Sequence, residues 1–270
     1  MVQLLQRNDI NISNDKVFYS EEDNLMWCSL YSNQIKTLRG RVYEPFFELL
    51  NELCLPKDRV PQLYEVSNTL RNKTGWTVAK VDDLIPYNDF FSLLANKVFP
   101  STTYIRKLSG FSRDPDIFHE LFGHCPMLLD RNYSIFLTKI AKFALQCPHL
   151  EQIILQRFLW YTIEVGLIQT SQGLRIYGGA LISSSQESVY SLESGEPERK
   201  IFNLLDISRS PYRADVLQTT YYFISNFEEL YSLEFSLEKL SILIKAAQQL
   251  GEYAAKFKIE DNKYTNVNIF

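Results

Sequence analysis

The chain holds only three histidines, and two of them, His119 and His124, bound the segment His-Glu-Leu-Phe-Gly-His. Imidazole is a common ligand for transition metals. The pair is spaced i, i+5, which on a regular α-helix sets the side chains about 140° apart. A regular helix therefore cannot turn both toward one ion. Zinc peptidases use i, i+4 for that reason, in His-Glu-x-x-His. Here Gly123 precedes the second histidine and Cys125-Pro126 follows it. A helix that ends or distorts near Gly123 is expected to return His124 toward His119. A third ligand candidate is Glu164, the only charge in FLWYTIEVGLI, residues 158–168. A helix apolar on every side is a buried helix, and an unpaired buried carboxylate costs several kcal/mol. Glu164 must then be neutral, ion-paired or bound to a metal. Two imidazoles and one carboxylate with open positions form the facial triad of non-haem Fe(II) oxygenases. Zinc accepts the same ligand types. Hydrogen-bonded histidines and a buried salt bridge are the plainer readings of these residues.

Arg106 follows the β-prone stretch Ser-Thr-Thr-Tyr-Ile and has the forked geometry to bind a carboxylate through two hydrogen bonds; the plain alternative is a surface arginine. Ser183-Ser184-Ser185, after Gly178-Gly179, reads as a hydroxyl-rich turn. Phe99 and Trp160 read as core.

The elements that would position these groups are mainly helical. Apolar residues recur at helical spacing from about Glu22 to Leu55, where Leu-Pro-Lys-Asp breaks the pattern. Pro61 marks a helix start, with helix over Leu63–Arg71, and Trp76–Val81 reads as a short strand. Asn88 is placed to cap a helix reaching Asn96, and residues 98–106 are β-prone. Asp114-Pro115-Asp116 opens the helix that carries the histidines, with proline in its first turn and acid at the positive end of its dipole. Further helices are expected at about 133–146, 150–168 and 236–256, with a turn at Gly178-Gly179. The expectation is a mainly α single domain with a few short β-strands. Residues 1–20 form a mobile polar arm in this reading, 21–258 the domain, and 259–270 a polar tail.

Hydrophobic residues make up 46% and charged residues 22% of the chain, an ordinary globular mix. The net charge of −4 comes without any basic block, which argues against a nucleic-acid partner. Cysteines 28, 54, 125 and 147 lack Cys-x-x-Cys spacing and read as reduced thiols of a cytoplasmic protein. No apolar run reaches the length of a membrane span, and the N-terminus lacks a signal-peptide core.

Together the motifs resemble a known family. DPDIFHELFGHCP (114–126) resembles the iron motif of the pterin-dependent aromatic amino acid hydroxylases, WYTIEVGL (160–167) the segment that supplies their iron-binding glutamate, and YGGALISS (177–184) their substrate loop. LPKDRVPQLYEVS (55–67), TGW (74–76) and DFFSLLANKVFPSTTYIR (89–106) are similar to the bacterial members that act on phenylalanine. The resemblance implies the catalytic fold of that family. It implies Fe(II) held by His119, His124 and Glu164, with O2 and a tetrahydropterin such as tetrahydrobiopterin as cosubstrates. Glu120 would face the pterin side of the iron. Leu84, Ile85 and Phe90 would lie along the pterin. Arg106 would bind the substrate carboxylate with Ser112 and Ser183, Phe99 and Trp160 would wall the ring pocket, and Glu187 would support the site from behind. Ser112 stands where animal members carry threonine, and Pro100 where animal phenylalanine-specific members carry a ring-packing histidine. The implied reaction converts L-phenylalanine to L-tyrosine; tyrosine or tryptophan hydroxylation, a zinc hydrolase with Glu120 as base, and a helical binding module with a decayed site are the alternatives. The polar tail lacks sustained heptads, so a monomer or small homo-oligomer is expected rather than a coiled-coil tetramer.

Overall fold

The computed structural model describes residues 16–82, 85–107 and 115–256. Helices dominate, as the patterning predicts, and their ends follow local chemistry. Helix α1, Glu21–Leu38, begins at a capping box between Ser20 and Asp23, with three acids in its first turn. It stops before Gly40, which takes φ of +71°. The single helical stretch expected over 22–55 is therefore two helices, because a left-handed turn at Gly40 separates α1 from α2, Pro45–Leu53. Helix α3, Leu63–Lys73, starts at a second capping box, Gln62 with Glu65. Of the expected N-terminal arm, residues 1–15 lie outside the described residues; Val17 exchanges two hydrogen bonds with the Gln62 side chain. The expected tail 259–270 also lies outside them.

Two short parallel strands, β1 (Thr77–Lys80) and β2 (Val98–Ser101), are joined through α4 (Tyr87–Ala95). Pro86, not Asn88, precedes the first turn of α4, and the β-prone stretch 98–106 is strand only to Ser101. Helix α5 is Arg131–Ala144, capped by Asp130 through the Tyr133 N–H at 2.7 Å. Helix α6 is His149–Leu159. The helix expected to reach residue 168 ends at Glu164, and β3 (Leu167–Thr170) follows, paired antiparallel with β4 (Gly173–Ile176). The reason is Gly166: a Cβ there would fall 2.1 Å from the Thr162 carbonyl oxygen and 2.4 Å from the Tyr177 ring, so the chain turns away at a point only glycine can occupy.

Next come α7 (Gly179–Ser183), α8 (Ser185–Glu193), β5 (Glu198–Ile201), α9 (Leu204–Arg209), β6 (Thr220–Ile224), α10 (Glu228–Tyr231) and α11 (Leu237–Leu250). Helix α11 stops at Gly251 rather than running to 256. The second sheet has the order β4-β3-β6-β5, with β6 parallel to both neighbours. Gly178-Gly179 is not a free turn: Gly178 caps α7 and Gly179 is its first residue.

One continuous aromatic core runs through these elements. Trp27, Phe46, Phe118 and Phe122 are buried in it. The rings of Phe118 and Phe122 stack at 4.7 Å, and Trp27 meets Phe118 edge-on at 5.3 Å. These contacts fix the inner face of the segment that carries both histidines.

Candidate active site

Residues 119–124 form a π-helical turn, continued by a 3-10 turn, Cys125–Leu129. The Cys125 N–H bonds the Glu120 carbonyl, five residues back. A π-turn pairs residues at i and i+5. It thereby gives two histidines at that spacing the common face that an α-helix denies them. The expected distortion is real, but it spans the whole motif instead of ending the helix at Gly123. A second π-turn, Trp160–Glu164, closed by the Val165 N–H on the Trp160 carbonyl at 2.9 Å, delivers Glu164.

The two turns face each other. His124 Nε2 lies 3.1 Å from His119 Nε2 and 3.2 Å from Glu164 Oε2, and His119 Nε2 lies 3.7 Å from the same oxygen. A circle through the three atoms has a radius of about 1.9 Å, slightly less than the ~2.1 Å of metal–ligand bonds to nitrogen and oxygen. One ion can therefore reach all three while lying slightly to one side of their plane. The hydrogen bonds agree. His119 Nδ1 lies 3.0 Å from Ser183 Oγ, whose own hydroxyl points to the Ala180 carbonyl at 3.3 Å. The imidazole is then the donor at Nδ1, and its Nε2 presents a lone pair to the triangle. Burial, with His124 next in importance, draws the His119 pKa down to about 3 and keeps the ring neutral. Burial opposes ionisation of Glu164, but the two imidazoles outweigh it and leave its carboxyl below the usual range. Converging lone pairs and a carboxylate suit a cation.

Glu120 stands beside this triangle. One of its carboxylate oxygens is within 4.8 Å of a nitrogen on each histidine, farther than Glu164. Burial, then Glu164 and Asp116, push its carboxyl well above the usual range; a divalent ion in the triangle would act the opposite way.

The glycines press a wall against the cluster. A Cβ on Gly179 would fall 2.3–2.6 Å from the atoms of the His124 ring, and one on Gly123 would fall 2.6 Å from the Gly179 carbonyl oxygen. Phe99 also packs on His124, with ring centroids 5.4 Å apart.

Arg106 is buried, not a surface residue. Its backbone N and Nε donate to Asp116 Oδ2 at 2.9 and 2.8 Å, and Nη2 donates to Oδ1 at 2.5 Å. Nη1 approaches the Ser183 carbonyl at 3.4 Å, and the guanidinium lies over Phe118. Asp116 also accepts the His119 N–H at 3.0 Å. It therefore braces the arginine and the first histidine together. In the sequence Asp116 reads only as a helix-opening acid; the signal for its second role is that a buried arginine needs a buried carboxylate.

Trp160 is buried, stacked on Tyr212 at 5.0 Å, and donates from Nε1 to Gln218 Oε1 at 3.1 Å. Glu187 lies behind that pair and outside the metal triangle. Its Oε1 accepts from Tyr221 OH at 2.8 Å and from the Gln218 N–H at 3.2 Å. Burial raises its pKa to about 7 in spite of those two bonds. Tyr212, Gln218 and Tyr221 were not anticipated, since nothing in their local sequence marks them. Phe90 is buried on α4, edge-on to Phe91, and Ile85 packs beside Ala79, Leu93 and Val98. Leu84 and Ser112 lie outside the described residues.

The chain belongs to the biopterin-dependent aromatic amino acid hydroxylase family, whose sequence profile matches residues 8–264. It is 40% identical over 246 residues to the phenylalanine-4-hydroxylase of Pseudomonas aeruginosa, covering 90% of this chain and 93% of that one. The phenylalanine hydroxylase structure from Legionella pneumophila superimposes with a TM-score of 0.84 at 43% identity, over 90% of this chain and 96% of the other. The Chromobacterium violaceum phenylalanine hydroxylase with bound iron(III) and 7,8-dihydrobiopterin matches with a TM-score of 0.81 at 36% identity, over 90% and 88% of the two chains.

Proposed function

We propose that this chain hydroxylates L-phenylalanine to L-tyrosine, with non-haem Fe(II) held by His119, His124 and Glu164 and with O2 and a tetrahydropterin as cosubstrates. The observation that carries the reading is the triangle of Nε2, Nε2 and Oε2 atoms, whose size fits one ion. Bound iron and pterin would supply the oxygen activation: one oxygen atom goes to the ring, and the other to the pterin that provides two electrons. The chain's part is placement and shielding. Ser183 keeps His119 in the tautomer that ligates. Asp116 holds the Arg106 fork rigid, leaving Nη1 as the edge toward Ser183 for a substrate carboxylate. Phe99 and Trp160 give the aromatic ring apolar walls, and Glu187 steadies Trp160 through Gln218. Ser112 would add a hydroxyl at the carboxylate; Leu84, Ile85 and Phe90 would lie along the pterin, with Glu120 between pterin and metal.

Family membership removes the support for a zinc hydrolase. No described helix is long and apolar enough to cross a membrane. The free cysteines support a cytoplasmic location. Helix α11 packs on α6 and α9, which supports a monomer or small homo-oligomer over a coiled-coil tetramer.

The test is product analysis with phenylalanine, tyrosine and tryptophan, each supplied with Fe(II) and tetrahydropterin. Tyrosine formed from phenylalanine is expected as the main product. Faster turnover of tyrosine or tryptophan would overturn the substrate assignment. His119→Ala and Glu164→Ala should each lose iron and turnover; either one retaining both would overturn the ligand set.

A further inference from the structure

The C-terminal end of α11 is capped by an arginine from another helix. Gly251 takes φ of +72° and turns the chain out of α11. Arg209, the last residue of α9, donates from Nε to the Gly251 carbonyl at 2.7 Å and from Nη2 to the Leu250 carbonyl at 3.3 Å. A helix end leaves such carbonyls without partners of its own. The next residues run back against α9. The Tyr253 N–H donates to the Arg209 carbonyl at 2.9 Å, the Arg209 guanidinium lies over the Tyr253 ring at 4.1 Å, and the Tyr253 hydroxyl donates to Asp206 Oδ1 at 2.6 Å. Between them Glu252 meets Nη2 of Arg157, on α6, at 2.5 Å. Arg157 is 4% exposed and donates from Nη1 to the Ser208 carbonyl at 2.6 Å. Residues 251–253 thus clasp the C-terminal half of α9 to α6.

The loop that leaves α9 backs the site of turnover. Residues 210–212 belong to no helix or strand, so their position is set by what holds them at each end. Tyr212 stacks on Trp160, with ring planes 13° apart. The Tyr161 hydroxyl donates to the Pro211 carbonyl at 2.9 Å, and Ser210 Oγ pairs with the Tyr222 hydroxyl at 2.8 Å. On the α9 side the hold is the clasp on Ser208 and Arg209. Burial raises the pKa of the Tyr161 and Tyr212 hydroxyls, and the Arg157 charge opposes the rise at both. The guanidinium is therefore close to the aromatic stack as well as to Glu252.

We propose that Glu252 and Tyr253 are positioning residues for the aromatic substrate, setting through Arg157 and Ser208–Tyr212 where Tyr212 holds Trp160. The clasp itself rests on the contacts of residues 251–253; only its influence on the substrate rests on the ring-wall role of Trp160. The Glu252 side chain is 60% exposed, so a group that the substrate never touches governs the wall of its pocket. Without the clasp Trp160 loses its fixed backing. The wall must then be ordered when the ring binds, which weakens substrate and transition state alike.

The experiment compares Glu252→Ala, Tyr253→Phe and their double variant in the full chain. Near-UV circular dichroism reads the Trp160–Tyr212 stack, with Trp160→Leu as the reference that lacks it. Steady-state kinetics of the iron-loaded protein read KM and kcat for phenylalanine. The double variant should lose most of the Trp160 signal and raise KM roughly three- to tenfold, with kcat held within about twofold. Tyr253→Phe alone keeps the ring over Arg209 and gives the same test should the double variant fail to fold. Ile244→Val is the control: it trims a buried methyl on α11 and leaves every bond of the clasp in place. It should lower the urea midpoint and leave the signal and KM as they are. An unchanged Trp160 signal in the double variant overturns the proposal. Equal losses of signal and rises of KM in Ile244→Val overturn it too, since any loosening of α11 would then suffice. If Trp160→Leu raises KM and the double variant does not, the proposal also fails. If the signal falls in the double variant and neither it nor Trp160→Leu changes KM, the ring-wall role fails and the clasp stands.

Discussion

Replacing Gly179 by alanine tests the metal centre at a residue that ligates nothing. The added Cβ would sit 2.3 Å from Cε1, 2.5 Å from Nδ1 and 2.6 Å from Nε2 of His124. Carbon atoms in ordinary contact are about 3.5 Å apart, so the imidazole must retreat by roughly 1 Å. Phe99 packs on the same ring, with centroids 5.4 Å apart, and limits where it can go. A nitrogen moved that far from a bond of about 2.1 Å no longer ligates. Overpacking of this kind costs about 1–3 kcal/mol, small enough for a domain of ordinary stability, about 5–15 kcal/mol, to stay folded. The expected result is a folded protein whose Fe(II) affinity drops roughly 10- to 100-fold or more, the range seen when ligand orientation is lost, with turnover falling in step. An anaerobic Fe(II) titration against a competing chelator reads the affinity, and urea unfolding reads the fold. Gly195→Ala is the control, since a Cβ there meets nothing within 4 Å. Unchanged iron affinity in Gly179→Ala would refute the claim that α7 presses on His124.

Three further outcomes are expected. Asp116→Ala should lower stability by about 3–5 kcal/mol in urea, because it strands the buried Arg106 charge, and adding Arg106→Leu should recover part of the loss. Trp160→Phe removes the donor to Gln218 and should raise KM for phenylalanine several-fold with little change in kcat; a wild-type KM would show that this bond does not position the ring wall. Glu187 carries its carboxyl raised from 4.5 to about 7 in the folded state. Between those values the unfolded chain has already released its proton while the folded one retains it. Stability should therefore fall as pH rises from about 4.5 to 7, by on the order of 3 kcal/mol, and level off above. Glu187→Gln should flatten that slope, as followed by urea midpoints across the pH range.

Much of the site is legible in the residues. Glu164 stands out because it is the lone charge in an apolar run, and burial then demands a partner for it. The five-residue spacing of His119 and His124 rules out a regular helix and forces a distortion. The form of the distortion is less readable: nothing in the composition of HELFGH distinguishes a helix that stops at Gly123 from a π-turn that spans the motif, since the choice is made by the Phe118–Phe122 stack and the packing of Gly179. Strands β3 to β6 have only four or five residues each, too few for alternation to stand out from noise. Val165–Ile168 continues the apolar run of α6, so local sequence reads it as helix, and only the close approach of Tyr177 to Gly166 ends it. Asp116 is visible in the sequence as an acid but not as a brace. Its partners lie 10 positions back and three ahead, and only tertiary packing brings Arg106 against it.

A π-turn is an α-turn carrying one surplus residue. Both segments that deliver the triangle are of this kind, so the centre depends on a count of residues as much as on their identity. Deleting one residue from 120–123 would leave every ligand side chain in place by type. It would return the histidines to the i, i+4 register that an ordinary helix presents on one face. The stack of Phe118 on Phe122, itself an i, i+4 pair, would lose a member or its register. The imidazoles would remain neighbours of each other and cease to be neighbours of Glu164. Chain length inside the motif is thus a coordinate of the metal site, and a substitution scan that keeps length fixed leaves it unexplored.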